Sequence, residues 1–289
     1  MTMTPAELLP TPDLLARMEA VAVELATIGG REIMATLGSL MAVQYKGDDD
    51  AIALMRDPVS EVDGRVEAMI RNQLAQHFPD HGIIGEEMAI HPGLDNDFVW
   101  AVDPIDGTSN FINGFPLFAS SVGVLYRGVP VVGALWCSTT HLLTPGVYHC
   151  GGSGGLRFDG AQMSRMPNPA VRKRLAGDPH GQSDAGPWDG RKTGSAAIEC
   201  AFVAAGLLQV ARFAAPNIWD VAGGTALARA SGACVFQEED GNWVPFNSFG
   251  GQLAQMARWR RPLILGKPED AVRMTDIQRA DAQDQSQQI

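Results

Sequence analysis

The chain has 289 residues, 45% of them apolar and 19% charged, enough material for one large domain or two small ones, which excludes the fibrous, disordered and disulfide-stapled miniature classes. Lys and Arg number 22 against 33 Asp and Glu, a formal charge of −11 that repels nucleic acid and anionic lipid and argues against a polyanion-binding surface. The four cysteines, Cys137, Cys150, Cys200 and Cys234, lack C-x-x-C spacing and read as reduced core thiols. Met1 to Pro12 has no basic start followed by an apolar run, and no window reaches the roughly 18 apolar residues of a membrane span. A soluble, cytoplasmic protein is expected.

In chain order, the first periodic segment is 13–37, where Leu14, Leu15, Met18, Val21, Leu25, Ile28 and Ile33 recur at helical spacing behind Pro12, with Asp13 as the expected N-cap. Gly47-Asp48-Asp49-Asp50 marks a solvent-facing loop. A second amphipathic helix is expected over 62–77, ending before Phe78-Pro79-Asp80-His81-Gly82. Short strands follow at 82–85, 98–102, 118–126 and 129–137, the last two around the turn Arg127-Gly128. Residues 151–190 are rich in Gly, Pro and Asp, broken by the basic run Arg172-Lys173-Arg174, and hold the least regular pattern. Beyond them 194–206 reads as a helix, 207–213 as a strand, 219–232 as a helix of small residues and 262–266 as a closing strand.

Three units are expected: an N-terminal α+β subdomain over 1–155, a C-terminal α/β subdomain over 156–275 and a disordered tail over 276–289. The tail is rich in Gln and Asp and buries too little apolar surface to offset its ordering entropy. With no internal repeat, the elements describe a layered α/β (α+β) architecture.

The chemistry concentrates in Trp100-Ala-Val-Asp103-Pro104-Ile105-Asp106-Gly107-Thr108. An apolar strand delivers two carboxylates three residues apart, a hard-cation site in the making. The N–H groups of Gly107 and Thr108, at what reads as a helix start, suit an anion beside that cation. Glu86-Glu87 ends another strand and Asp220 opens a helix in Ile218-Trp219-Asp220-Val221; each alone suits a solvated turn or a simple cap.

The ordered set Gly85-Glu-Glu87, Asp103-Pro-Ile-Asp-Gly-Thr108 and Trp219-Asp-Val-Ala-Gly223 resembles the signature motifs of the inositol monophosphatase family of magnesium-dependent, lithium-sensitive phosphatases. The likeness runs from about Arg56 to Gly232. It implies a five-layered α-β-α-β-α sandwich, Mg2+ as cofactor, a small phosphorylated metabolite as partner and a homodimer. It further implies that Glu86, Asp103, Asp106, Asp220 and the carbonyl of Ile105 ligate magnesium. By the same likeness Asp63 and Thr108 orient the attacking water, with Glu86 in the catalytic set beside them, and Asp63 also suits an N-cap. Asp106, Gly107, Thr108, Gly194, Ser195, Ala196, Phe213 and Asp220 are expected on the substrate side. Four converging carboxylates repel one another unless divalent cations sit between them. Lys46 lies roughly where the family has a lysine, but the segment before Asp63 is longer here and Lys46 is left unassigned.

The family's inositol-specific members carry a Glu seven residues before the Trp-Asp aspartate, where this chain has Phe213. A ring cannot accept hydrogen bonds from sugar hydroxyls, so the expected substrate is a phosphomonoester other than myo-inositol phosphate. Histidinol phosphate, a sugar phosphate and a nucleotide 3′-phosphate stay open, with inositol 1-phosphate as the alternative and a metal- or phosphate-binding regulatory protein as the non-enzymatic one. Gly151-Gly152-Ser153-Gly154-Gly155 matches G-x-S-x-G but lacks the strand-to-helix context of a nucleophile elbow and reads as a hairpin turn. The six histidines form no H-E-x-x-H and no P-loop is present, which removes zinc hydrolases and nucleotide triphosphatases of those types.

Overall fold

The computed structural model describes residues 10–38, 43–45, 58–87, 97–152, 154–163, 170–171, 174–178 and 186–286. Lys46, the acidic loop at 47–50, Ser153, Arg172 and Lys173 lie outside them, as do 287–289.

Helix α1 (Pro12–Thr36) opens on a proline, whose missing N–H costs nothing in a first turn. Its cap is Thr11 rather than the expected Asp13: the Thr11 hydroxyl accepts the Leu14 N–H at 3.3 Å. Strands β1 (Val43–Tyr45) and β2 (Pro58–Ser60) pair antiparallel and lead into α2 (Glu61–His77). There follow β3 (Gly82–Gly85), β4 (Phe98–Asp106), the short α3 (Thr108–Ile112), β5 (Ala119–Tyr126), β6 (Val129–Cys137), β7 (Gly146–Gly151), β8 (Arg157–Phe158) and β9 (Ala161–Gln162). Strands β3 to β9 form one seven-stranded sheet in sequence order, parallel between β3 and β4 and antiparallel thereafter. This sheet continues through Gln162, past the boundary expected at 155/156.

The second half supplies β10 (Leu175–Gly177), β11 (Asp189–Arg191), α4 (Ala196–Ala204), β12 (Val210–Phe213), α5 (Ile218–Ala230), β13 (Cys234–Glu239), β14 (Asn242–Pro245), α6 (Leu253–Met256), β15 (Leu263–Gly266) and α7 (Pro268–Ser286). Its six strands run in the order β11-β10-β12-β15-β13-β14.

Period-two alternation sorts the first sheet's side chains. Trp100, Val102, Val122, Val124 and Trp136 pack against Met18, Leu25 and Ile33 of α1 and Val66, Ile70 and Leu74 of α2. Val99, Ala101 and Leu125 point the other way, onto Val221 and Ala222 of α5 and, through them, Leu263 and Leu265 of the second sheet. Every residue of β4 is buried, as expected of a strand covered on both faces. Ala271 and Met274 of α7 cover the far side of the second sheet over Val210 and Ile264. The layers are therefore α1/α2, first sheet, α4/α5, second sheet and α7, the expected five-layered α-β-α-β-α arrangement.

Helix α5 lies on the first sheet closer than side chains allow. A Cβ at Gly133 would stand 2.3 Å from the Gly223 carbonyl oxygen, and one at Gly123 would stand 2.6 Å from the Gly223 nitrogen. Backbone meets backbone there, a contact glycine alone permits.

Several features depart from expectation. Strand β7 and the hairpin β13–β14 had no counterpart in the predicted elements. The segment from 276, expected to be a disordered tail, continues α7 to Ser286: Ala, Gln and Arg favour helix intrinsically, and Arg279 donates to the Trp243 carbonyl at 3.1 Å. Cys137, Cys150 and Cys200 are buried free thiols and Cys234 is half-buried; burial pushes the Cys150 thiol up to about 12 and raises the other two buried thiols as well. No helix among the described residues is long and apolar enough to cross a membrane.

Candidate metal centre

Strand β4 ends in the two carboxylates. Asp103 pairs with Ser121 and Asp106 with Ala119, so the register shifts between them, where Pro104 has no N–H to give the ladder. Gly107 takes up the turn in the left-handed region, φ 85°, and Thr108 starts α3. The Thr108 hydroxyl lies 3.0 Å from Asp63 Oδ1 and 2.8 Å from the Ile105 carbonyl; its single proton serves one of them at a time. Asp63 is fully buried in the first turn of α2. It sits inside the helix at the third position, not at the cap.

Asp106 is gripped from α4. The Ser195 hydroxyl donates to Asp106 Oδ2, the Ala197 N–H to the same oxygen at 2.9 Å and the Ala196 N–H to Oδ1 at 3.2 Å. Ser195 caps α4 with the same oxygen, accepting the Ile198 N–H at 3.2 Å. The turn Gly194-Ser195-Ala196, expected on the substrate side, thus reaches the site by holding a carboxylate. Asp220 is half-buried in the first turn of α5, where its Oδ2 accepts the Asn217 N–H at 2.7 Å. Its capping role and its place in the centre coexist.

Asp103, Asp106 and Asp220 each bring a carboxylate oxygen within 4.8 Å of the others. Asp103 Oδ1 is buried with no hydrogen-bond partner. Glu86 is half-buried just past β3, and its carboxyl bears on that of Asp103. Burial, then the charges of Glu86, Asp106 and Asp220, push the Asp103 carboxyl well above the usual carboxylate range. Burial raises Asp106 to about 6 against the lowering effect of Ser195, Ala197 and Ala196. Burial and the charges of Asp106 and Glu86 raise Asp220, opposed by the Asn217 N–H and Arg260. Converging oxygen donors, one of them an orphan, fit a hard divalent cation.

The metal-free protein should respond to pH accordingly. Asp106 titrates at about 6 when folded against 3.8 in the unfolded chain, so its contribution to stability is full below about pH 4 and is lost as pH rises through about 6. Asp103 and Asp220 are shifted in the same direction. In chelator, the melting temperature is expected to rise as pH is lowered from about 8 to about 5.5, and divalent cation at about pH 8 to recover the difference. A metal-free melting temperature that falls over that interval contradicts the clustering.

Two residues that the sequence reading passed over hold the centre in place. Glu67, fully buried one turn after Asp63 on α2, accepts the Glu87 N–H at 2.7 Å and the Arg71 Nε–H at 2.8 Å. It thereby fixes the turn from which Glu86 projects, and it lies so close that a Cβ at Gly85 would meet its Oε1 at 2.1 Å. Asn110 of α3 donates to the carbonyls of Leu117 and Thr193 at 2.6 and 2.8 Å, tying the helix that follows β4 to the segment that leads into α4. Phe213 corrects the expected substrate set: its ring is 1% exposed, buried with Ile84, Trp259 and Leu263, and offers no surface to a ligand.

The inositol monophosphatase family matches residues 14–262. The chain is 28% identical over 270 residues to the chloroplastic phosphatase IMPL1 of Arabidopsis thaliana, covering 85% of this chain and 66% of that one. It is 30% identical over 240 residues to the Nus factor SuhB of Vibrio cholerae, covering 74% and 83%. Among solved structures, the extragenic suppressor protein suhB of Bartonella henselae superposes with a TM-score of 0.70 at 25% identity, over 91% of this chain and 98% of that one. With the match spanning most of its length and the acidic centre assembled, the chain belongs to the inositol monophosphatase family and is a phosphoric monoester hydrolase of that group.

Proposed function

We propose that the protein hydrolyses a small phosphomonoester by direct attack of water, with magnesium held by Glu86, Asp103, Asp106, Asp220 and the carbonyl of Ile105. The observation that carries this is the buried, partnerless Asp103 Oδ1 among converging carboxylates. When bound, magnesium supplies the positive charge that offsets the phosphate oxygens and makes a coordinated water acidic. The chain does the rest. Asp63 Oδ1 and Thr108 Oγ1, 3.0 Å apart, form the pair that orients the water and takes its proton at Asp63. Gly107 and Thr108 present backbone N–H groups to the phosphoryl group. Ser195, Ala196 and Ala197 keep Asp106 ionised and fixed, so little reorganisation is needed during the reaction.

With a core ring at position 213 instead of a carboxylate, that position gives the pocket no acceptor for a polyol, which supports a substrate other than myo-inositol phosphate, with sugar, nucleotide and histidinol phosphates as the classes to test. A regulatory protein without turnover is the competing reading, favoured by the likeness to a protein named as a Nus factor; the full set of site residues favours catalysis. The test is phosphate release from a panel of phosphomonoesters. Release is expected to need magnesium and to stop in chelator. Metal binding with no release from any ester supports the regulatory reading instead.

A further inference from the structure

The second sheet brings a basic segment to the edge of the centre. Phe213, the last residue of β12, pairs with Leu263, the first of β15, and Leu263 pairs in turn with Gln237 of β13. The loop 214–217, which leads to Asp220, and the segment 258–262 therefore meet the sheet at the same end. That segment carries Arg258, Arg260 and Arg261 in a chain whose formal charge is −11.

The three arginines are not equivalent. Arg261 is neutralised by Glu239 at 2.9 Å. Arg260 is exposed and donates through Nε and Nη2 to the Ala215 carbonyl at 3.4 and 3.3 Å, long bonds that leave both N–H groups of Nη1 without a partner among the described residues. Arg258 makes no ion pair among the described residues. Arg258 and Arg260 line a groove of about 710 Å³ with Gln237, Asn247, Ser248 and Trp259, and the groove's three arginines face one carboxylate, Glu239. The loop between groove and centre, Ala214-Ala215-Pro216-Asn217, has no charge of its own. Arg260 also bears electrostatically on Asp220, consistent with a position at the rim of the centre.

A guanidinium held along its Nε–Nη2 edge keeps one N–H of Nη1 and the second N–H of Nη2 side by side at its outer end, the fork that matches a carboxylate or phosphate in a two-point contact. We propose that Arg260 is a specificity-determining residue that binds a second anionic group, carboxylate or phosphate, on the substrate whose phosphomonoester is cleaved at the acidic centre, with Arg258 and the groove enclosing that group. The inference rests on the phosphatase reading and narrows it. Esters with neutral or cationic remainders, histidinol phosphate among them, become poor substrates, and doubly anionic ones good substrates.

The experiment compares matched esters with the full chain and magnesium. Glycerol 1-phosphate against 3-phosphoglycerate tests a carboxylate; fructose 1-phosphate against fructose 1,6-bisphosphate tests a second phosphate. The doubly anionic member of at least one pair is expected to show a kcat/KM about tenfold or more higher, chiefly through KM. Arg260→Ala should bring that ratio close to one, Arg260→Lys should keep part of it, and Arg191→Ala, on the edge strand β11 and paired with Asp189 at 3.0 Å, should keep it in full. A purely structural role, pinning the loop at Ala215, would lower both members of a pair alike. The inference is overturned if the neutral esters turn over but the ratio stays near one, or if the ratio survives in Arg260→Ala. If none of the four esters turns over while another ester of the wider panel does, this inference is overturned and the phosphatase reading stands; if no ester of that panel turns over, the phosphatase reading fails and takes this inference with it.

Discussion

Asp106→Asn is expected to lower kcat/KM for any accepted phosphomonoester by about a thousandfold or more, equivalent to about 4 kcal/mol of lost transition-state stabilisation. The change is nearly isosteric, so packing is not what fails. Asp106 takes donors on both oxygens, from Ser195, Ala196 and Ala197. An asparagine can turn only one oxygen toward them and must set its NH2 against an N–H or O–H donor at the other position. It also removes a negative charge from the wall that has to hold a divalent cation. The loss should appear in kcat with a raised magnesium requirement, measured as phosphate release against magnesium concentration. A variant within tenfold of the parent at every magnesium concentration would remove Asp106 from the ligand set.

Gly133→Ala is expected to destabilise the fold by about 3 kcal/mol, at the upper end of the usual overpacking range. In a chain of this size that corresponds to a melting temperature lower by about 5 °C. The new methyl would meet the carbonyl oxygen of Gly223 at 2.3 Å, and a backbone atom has no rotamer to retreat into. Relief requires α5 to lift off β6, and Asp220 rides on α5, so activity should fall further than stability alone accounts for. Thermal melts in chelator and in magnesium separate the two effects. A melting temperature within about 2 °C of the parent would show that the layers slide more readily than this close approach implies.

Legibility of the site and of the fold followed how local each signal was. Strands β3 and β6 match their predicted limits because each is an apolar run closed by glycine or a turn. Asp103 and Asp106 stood out because both lie within one short stretch, with proline and glycine marking the turn. Asp63, Glu86 and Asp220 are scattered, and individually each is an ordinary helix-start or turn residue; only their order, seen as a family likeness, joined them.

Glu67, Asn110 and Arg260 carried no local signal. Their importance comes from partners 20 to 83 residues away. The β13–β14 hairpin did have one: Asp240-Gly241, both in the left-handed region at φ 50° and 80°, is the Asp-Gly pair typical of a two-residue hairpin turn. Helix α7 was missed because composition weighs apolar burial, whereas this helix is held by a few anchors and by the intrinsic preference of Ala, Gln and Arg.

The buried thiols make the protein its own conformational reporter. Cys137 in β6, Cys150 in β7 and Cys200 in α4 sit on adjoining layers, shielded and almost wholly protonated at neutral pH. An alkylating reagent can modify them only at the pace at which those layers part. Mass spectrometry of the three sites would therefore time the opening of the first sheet separately from that of the helical layer beside it, without a dye or an introduced label.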